Sequence, residues 1–258
     1  MTIQYASDLH LEFAQNKEYI KMNPLKPVGD ILVLAGDITP FSQMDKHNNL
    51  WDYVAAHWQS VYWVPGNHEY YGYDMADRQG SFCIAIRPNV FLVNNHTEVI
   101  DGTKLIFSTL WSKISLTNQW TIQQSLSDFH TIKYRGQKLT VDDYNEQHLV
   151  ALQYVTSQLA IDERPAVVVT HHVPTLKHYP EQYRGDVLNE AFASEQYELI
   201  LKHQPIAWIY GHHHQNTPDF NIDNTQLLTN QMGYLQYREH TKYNNSKIIN
   251  LTSHNNPS

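Results

Sequence analysis

A single cysteine, Cys83, stands in 258 residues. No intramolecular disulfide can form, which excludes a disulfide-stapled secreted scaffold and fits a reducing compartment. Cys83 lies in Phe82-Cys83-Ile84 and reads as a small buried hydrophobe. No apolar run reaches 18 residues, so hydropathy indicates no membrane-spanning helix. The first apolar run begins at Ile3, which leaves little room for a leader peptide, and a cytoplasmic protein is expected. Positive charge is also short. Lys and Arg number 18 against 26 Asp and Glu, a net charge of −8. That argues against a nucleic acid polymer as partner, although bound metal ions would add positive charge that this count omits.

What is present suits a sizeable core, with 41% hydrophobic and 12% aromatic residues. One domain over 1–258 is expected, without repeat or linker. Five apolar runs read as buried strands: 3–6, 31–35, 61–64, 166–169 and 206–210. Helices are expected over 43–59 (Leu50, Val54, Trp58), over 141–161 and over 188–203. The second has Thr140 or Asp142 as cap and Leu149, Leu152, Val155 and Leu159 as apolar stripe. Strands alternating with helices imply a parallel sheet. Asp101-Gly102 and Asp223-Asn224 mark hairpins. Segment 15–29 reads as a polar loop and 70–87 as partly helical. Segment 112–138 is polar and aperiodic, long enough to be a lid or substrate loop, and 174–186 is irregular. The last residues of the Asn-rich stretch 244–258 are expected to fray.

Each strand run ends in a polar fragment. These are Asp8-Leu9-His10, Gly36-Asp37, Gly66-Asn67-His68-Glu69, Thr170-His171-His172 and Gly211-His212-His213-His214. Strand ends of an α/β sheet can converge on one crevice. Carboxylate, imidazole and amide groups gathered there can hold two divalent cations, and mixed oxygen and imidazole donors suit manganese, iron, zinc or nickel better than calcium. Asp37 is the candidate bridge, since a carboxylate can span two ions about 3.5–4 Å apart. In an extended backbone Asp8 and His10 point the same way, as do His212 and His214. Gly36, Gly66 and Gly211 leave space beside the ligands. Any one fragment reads equally well as a turn; the ordered set is specific.

This set resembles the calcineurin-like metallophosphoesterase superfamily, and all five blocks stand in that family's order between Ile3 and His214. The resemblance implies an α/β fold of two facing mixed β-sheets flanked by helices, a four-layer sandwich. It implies Asp8, His10, Asp37 and His214 around one metal, and Asp37, Asn67, His171 and His212 around the other. It makes His68 the catalytic acid beside a metal-bridging hydroxide that attacks a phosphoester. Of the two adjacent histidines, His171 follows its strand directly and is taken as the ligand. His213 is expected to point away.

Two departures narrow the branch. Protein Ser/Thr phosphatases carry Arg before the Gly-Asn-His-Glu block and Asp-Arg-Gly after Gly-Asp; here Pro65 and Ile38-Thr39-Pro40 stand there. Lipid A pathway pyrophosphatases tend to have Arg where His68 stands. The stretches 64–72, 169–174 and 208–214 look most like a group of bacterial metallophosphoesterases for which no substrate follows from the resemblance; the nearest well-described relatives are small-molecule phosphodiesterases, and a small-molecule or nucleotide phosphodiester is expected. The alternatives are a non-catalytic scaffold of the same fold and a phosphomonoesterase or protein phosphatase. His172, Tyr70 and Tyr71 are the foremost substrate-side candidates, with Trp111, His178, Tyr183 and Arg184 nearby. The carboxylate that orients His68 is not apparent, and Glu69, its neighbour, is expected to point elsewhere.

Overall fold

The computed structural model describes residues 1–251. The expected fraying of the last residues lies outside them. The first sheet contains β1 (Thr2–Ala6), β2 (Ile31–Ala35), β3 (Ser60–Val64), β4 (Phe82–Arg87) and β5 (Val90–Asn94). The second begins with β6 (His96–Ile100) and β7 (Thr103–Ser108). After a minimal hairpin of β8 (Lys133–Tyr134) and β9 (Gln137–Lys138), it continues with β10 (Ala166–Thr170), β11 (Ala207–Tyr210), β12 (Phe220–Ile222) and β13 (Thr225–Thr229). A final strand, β14 (Ile248–Asn250), returns to the first sheet. The strand orders are β14-β1-β2-β3-β5-β4 and β12-β13-β11-β10-β7-β6. Within each, the inner strands run parallel and the two edge strands antiparallel.

Side-chain alternation sets the layers. Tyr5, Val33, Tyr62, Phe107, Val169 and Ile209 point into one core between the two sheets. Their alternates Leu32, Leu34, Val61 and Trp63 pack outward on Trp51 and Val54 of a helix. On the other side Ile106, Val168 and Trp208 pack on Val155, Leu159 and Ile200. The inner strands are thus buried on both faces, which is why 31–35 and 166–169 are uninterrupted apolar runs. The result is the expected sandwich of two mixed sheets between helical layers.

The helices are α1 (Ala14–Met22), α2 (Asn48–His57), α3 (Gln119–Ser125), α4 (Asp128–Thr131), α5 (Val141–Ala160), α6 (Asn189–Phe192) and α7 (Tyr197–His203). Several expectations are corrected here. Segment 15–29 is not all loop, because α1 docks Ile20 into the core and Asn16 onto the carbonyls of Leu9 and Gly233. Segment 70–87 holds a short 3-10 turn and then β4 instead of a helix. Cys83 is exposed on that edge strand. The 188–203 helix is two pieces, split where Val173 pairs with Ala193. The helix over 43–59 begins as a 3-10 turn and becomes α2 only at Asn48. Thr140 does cap α5, with Asp143 closing the capping box. The buried stripe of α5 runs through Tyr144, His148, Ala151, Val155 and Leu159, whereas Leu149 is 54% exposed. His148 replaces the leucine because its ring nitrogen meets the Leu110 carbonyl. The Asp101-Gly102 hairpin forms as read, with positive φ at both residues. Among the described residues no helix is long and apolar enough to cross a membrane.

Candidate metal centre

The carboxyl ends of β1, β2, β3, β10 and β11 meet at one place, and each polar fragment begins there. The chain turns sharply as it leaves these strands. Asp8, His10, Asp37, His212 and His214 all have φ between 47° and 82°. Asp and His tolerate this left-handed region better than bulky residues, yet each such turn costs about 1–3 kcal/mol. The pairs Asp8/His10 and His212/His214 therefore converge through left-handed turns; the extended backbone expected for them is not what aims them. Glycine clears the approach. A Cβ on Gly36 would lie 2.8 Å from His171 Cβ, and one on Gly66 would lie 2.7 Å from His171 Nε2. Neither site has room for it.

Two donor sets result, and Asp37 belongs to both. Side-chain atoms of Asp8, His10, Asp37 and His214 lie within 4.8 Å of one another, as do those of Asp37, His171 and His212. Asn67 joins the second set, its Oδ1 3.2 Å from His171 Nε2. The amide orientation follows from the bond that its Nδ2 donates to Asp128 Oδ1 at 2.8 Å.

The imidazoles decide what fits. His10 Nε2 faces His214 Nε2 at 2.9 Å, and His171 Nε2 faces His212 Nδ1 at 3.1 Å. The outer nitrogens are all engaged by acceptors. His10 Nδ1 meets Glu12 at 3.0 Å, His214 Nδ1 meets Glu239 at 2.9 Å, and His171 Nδ1 meets the Ala35 carbonyl at 2.9 Å. His212 Nε2 lies 3.4 Å from the Ala191 carbonyl. A ring that donates outward presents a lone pair inward. Paired lone pairs beside two carboxylates form a cation site. Without a cation, protons fill that role: burial pushes His171 and His214 down, but Asp37 and Asp8 beside them pull them up to about 9 and about 10. Metal binding would displace those protons. Burial alone would push Asp37 up, and His171, His68 and His10 pull its carboxyl well below the usual range. A carboxylate that stays ionised at this depth suits a shared ligand.

His68 stands beside Asp37, its backbone N–H donating to Asp37 Oδ1 at 2.9 Å. Its Nδ1 meets Glu12 Oε1 at 2.9 Å, its Nε2 lies 3.2 Å from the Tyr234 hydroxyl, and its ring stacks on Tyr71 at 4.1 Å. Glu12 thus touches both His10 and His68. Burial raises its carboxyl, but the two imidazoles bring it down to about 2. The alternation Asp8-x-His10-x-Glu12 was the available signal for it. Glu69 points away from His68 as expected and accepts from the backbone N–H groups of Asp37, Ile38 and Gly66 at 2.9, 2.7 and 2.6 Å.

The centre opens into a cavity of about 320 Å³ lined by Asn67, His68, Tyr71, Asp128, Tyr183, Tyr234 and Glu239 among others. Tyr71 lines it as expected, and so does Tyr183. His172 does not. It is fully buried, held by the Tyr144 hydroxyl and the Thr109 carbonyl behind His171. Tyr70 is also buried and donates to the Arg78 carbonyl. His172 directly follows the ligand His171 and points to the opposite side, whereas Tyr70 is drawn into the core by its bond to Arg78. Trp111 lies in the core, His178 packs at a tilt against Phe220, and exposed Arg184 pairs with Glu181. His213 is held by Gln231 and also borders the cavity. Asp128, Tyr234 and Glu239 had no signal in the sequence.

A family model for calcineurin-like phosphoesterases matches residues 1–216. The chain belongs to that family. It is a metal-dependent phosphoester hydrolase, and the His/Asp cluster above is able to bind metal. Another similar chain, from Acanthamoeba polyphaga mimivirus and described as uncharacterized protein L509, is 33% identical over 92% of both chains. The fold resembles that of phosphopantetheinyl hydrolase from Mycobacterium tuberculosis, with a TM-score of 0.73 and 16% identity over 100% of this chain and 98% of that one. For this phosphoesterase, Glu12→Gln is expected to lower kcat roughly 10–100-fold, as for other groups that orient a ligand or an acid. The check is turnover against metal content in the same preparations. Unchanged turnover at full metal loading would count against a positioning role for Glu12.

Proposed function

We propose that the chain is a dinuclear phosphodiesterase that cleaves a small-molecule or nucleotide phosphodiester, as one domain over 1–258 acting in the cytoplasm. The observation that carries this is the shared Asp37: two donor sets meet on one carboxylate at the floor of a cavity sized for a small molecule. Asp8, His10, Asp37 and His214 would hold one divalent ion, and Asp37, Asn67, His171 and His212 the other. The donor set suits manganese, iron, zinc or nickel. Such a pair supplies Lewis acidity and a nucleophile at neutral pH.

The chain's own groups do the rest. His68 donates a proton from Nε2 to the departing ester oxygen. Glu12 keeps its Nδ1 engaged, and Tyr71 holds the ring by stacking. Tyr234 adds a hydroxyl beside the same Nε2. Asp128 keeps the Asn67 carbonyl turned inward.

Metal-stripped protein should regain turnover of bis-p-nitrophenyl phosphate when Mn²⁺, Fe²⁺, Zn²⁺ or Ni²⁺ is returned. Turnover restricted to p-nitrophenyl phosphate would sink the diester reading. His68→Ala is expected to retain metal and lose about 10²–10⁴ in rate. Wild-type rates on an unactivated diester in that variant would remove His68 from the mechanism.

A further inference from the structure

The cavity wall beyond the metal-binding floor has a consistent character. Among the described residues, no lysine or arginine lines it. Three segments that join no sheet build it. The α3–α4 segment brings Asp128, the 174–192 segment brings Tyr179, Tyr183, Asp186 and Phe192, and the turn after β13 brings Tyr234 and Glu239. The cations of the 174–192 segment are engaged with other groups: Arg184 pairs with Glu181 at 2.6 Å, and Lys177 sits over the Tyr197 ring at 4.3 Å.

Two carboxyl groups of this wall have no cationic partner among the described residues. Asp128 is fully buried and its Oδ2 has no hydrogen-bond partner, although its Oδ1 accepts from both Asn67 and Tyr71. Asp186 has one oxygen engaged by the Leu188 N–H and stands exposed at the rim. Tyrosine faces interleaved with carboxyl groups are the usual surroundings of a bound ammonium group, which ring quadrupoles and negative charge attract together. The floor has the opposite polarity. Asp8 and Asp37 are the only carboxylates in the proposed ligand set, so two divalent cations leave it net positive and able to take one phosphate.

We propose that the cleft selects phosphoesters whose alcohol part carries a positive charge, and discriminates against alcohols bearing a second phosphate or a carboxylate. The inference rests on the phosphoesterase reading and names its substrate class. Nucleoside polyphosphates fall on the disfavoured side. The mobile part of the substrate lies over the aromatic wall while the phosphate sits on the floor, so charge discrimination acts on the alcohol and leaves the reacting group alone.

Three p-nitrophenyl diesters with the same leaving group test it on the metal-loaded enzyme: the phosphocholine ester, the ethyl ester and the 2-carboxyethyl ester. At low salt, kcat/KM for the cationic ester should exceed that for the anionic ester by about ten-fold or more, the size expected for one charge near a partly exposed carboxylate. The ratio should shrink as ionic strength rises, which a steric preference would not do. Asp186→Lys should reduce it several-fold. An anionic ester hydrolysed as well as the cationic one, or a ratio indifferent to both salt and Asp186→Lys, would overturn the proposal. If none of the three esters is hydrolysed, the phosphodiesterase reading fails. Calorimetric binding of phosphocholine against 2-phosphoglycolate to the Mn²⁺-loaded protein then decides the inference separately. Tighter phosphocholine binding upholds it; equal or weaker binding overturns it.

Discussion

Asp37→Asn is expected to strip the protein of both metal ions and to reduce phosphodiester turnover by on the order of 10³-fold or more. No other substitution at the centre touches as much. Asp37 Oδ2 lies 3.7 Å from His10 Nε2 and 3.4 Å from His171 Nε2, while Oδ1 accepts the His68 N–H. An amide at that position loses the negative charge facing both donor sets. It must also point its NH₂ either at the cation positions or at the His68 N–H, and each choice opposes a donor to a positive group. Metal analysis of the purified variant alongside its turnover is the measurement. Two equivalents of metal in the variant would show that the two sites are not bridged by Asp37.

Glu69→Ala is the second large effect, and it falls on stability. The Glu69 carboxyl is fully buried and ties the loop after β2 to the loop after β3. It accepts from the N–H groups of Asp37, Ile38 and Gly66 and from Trp63 Nε1 at 3.0 Å. Alanine would leave these donors buried and unpaired, at about 1–3 kcal/mol each when isolated. Relaxation and water entry make the sum smaller, and a loss of roughly 3–5 kcal/mol is expected. Glu69→Gln should recover only part of this loss, because its single oxygen can accept from one pair of these donors while its NH₂ faces the other pair. Burial and the nearby Asp37 push the Glu69 carboxyl up to about 8, against the pull of the backbone N–H groups that it accepts from. Denaturant unfolding of the two variants separates these outcomes. An alanine variant within about 1 kcal/mol of the parent would mean that the two loops are held by something else.

The floor of the site was legible in the sequence because its two signals are independent. Strands buried on both faces leave unbroken apolar runs, and ligand residues are conspicuous directly after them. Asp8, His10, Asp37, Asn67, His171, His212 and His214 are all brought together by the fold. The supporting residues were not legible, because they reach the site from far along the chain. Asp128 meets Asn67 across 61 positions, and Tyr234 meets His68 across 166. Local pattern holds no trace of such contacts. Short helices failed for a related reason. The positions of α3, α4 and α6 are set by what they pack on, and their own sequences have little periodic signal. His172 shows the limit of reading neighbours: adjacency to the ligand His171 in the chain placed it behind the site.

The return of β14 to the first sheet bears on how the protein is made. β1 carries Asp8, yet β1 pairs with residues 248–250, and the backbone just beyond β1 is bonded to Asn230, Met232 and Gly233. Two neighbours therefore brace the strand that leads to Asp8: β2, which follows it closely in the chain, and β14, which lies far beyond every proposed ligand. Domains generally fold as units once their residues are available. Here one edge of β1 stays open until residues 248–250 are available, while β2 can cover the other edge long before.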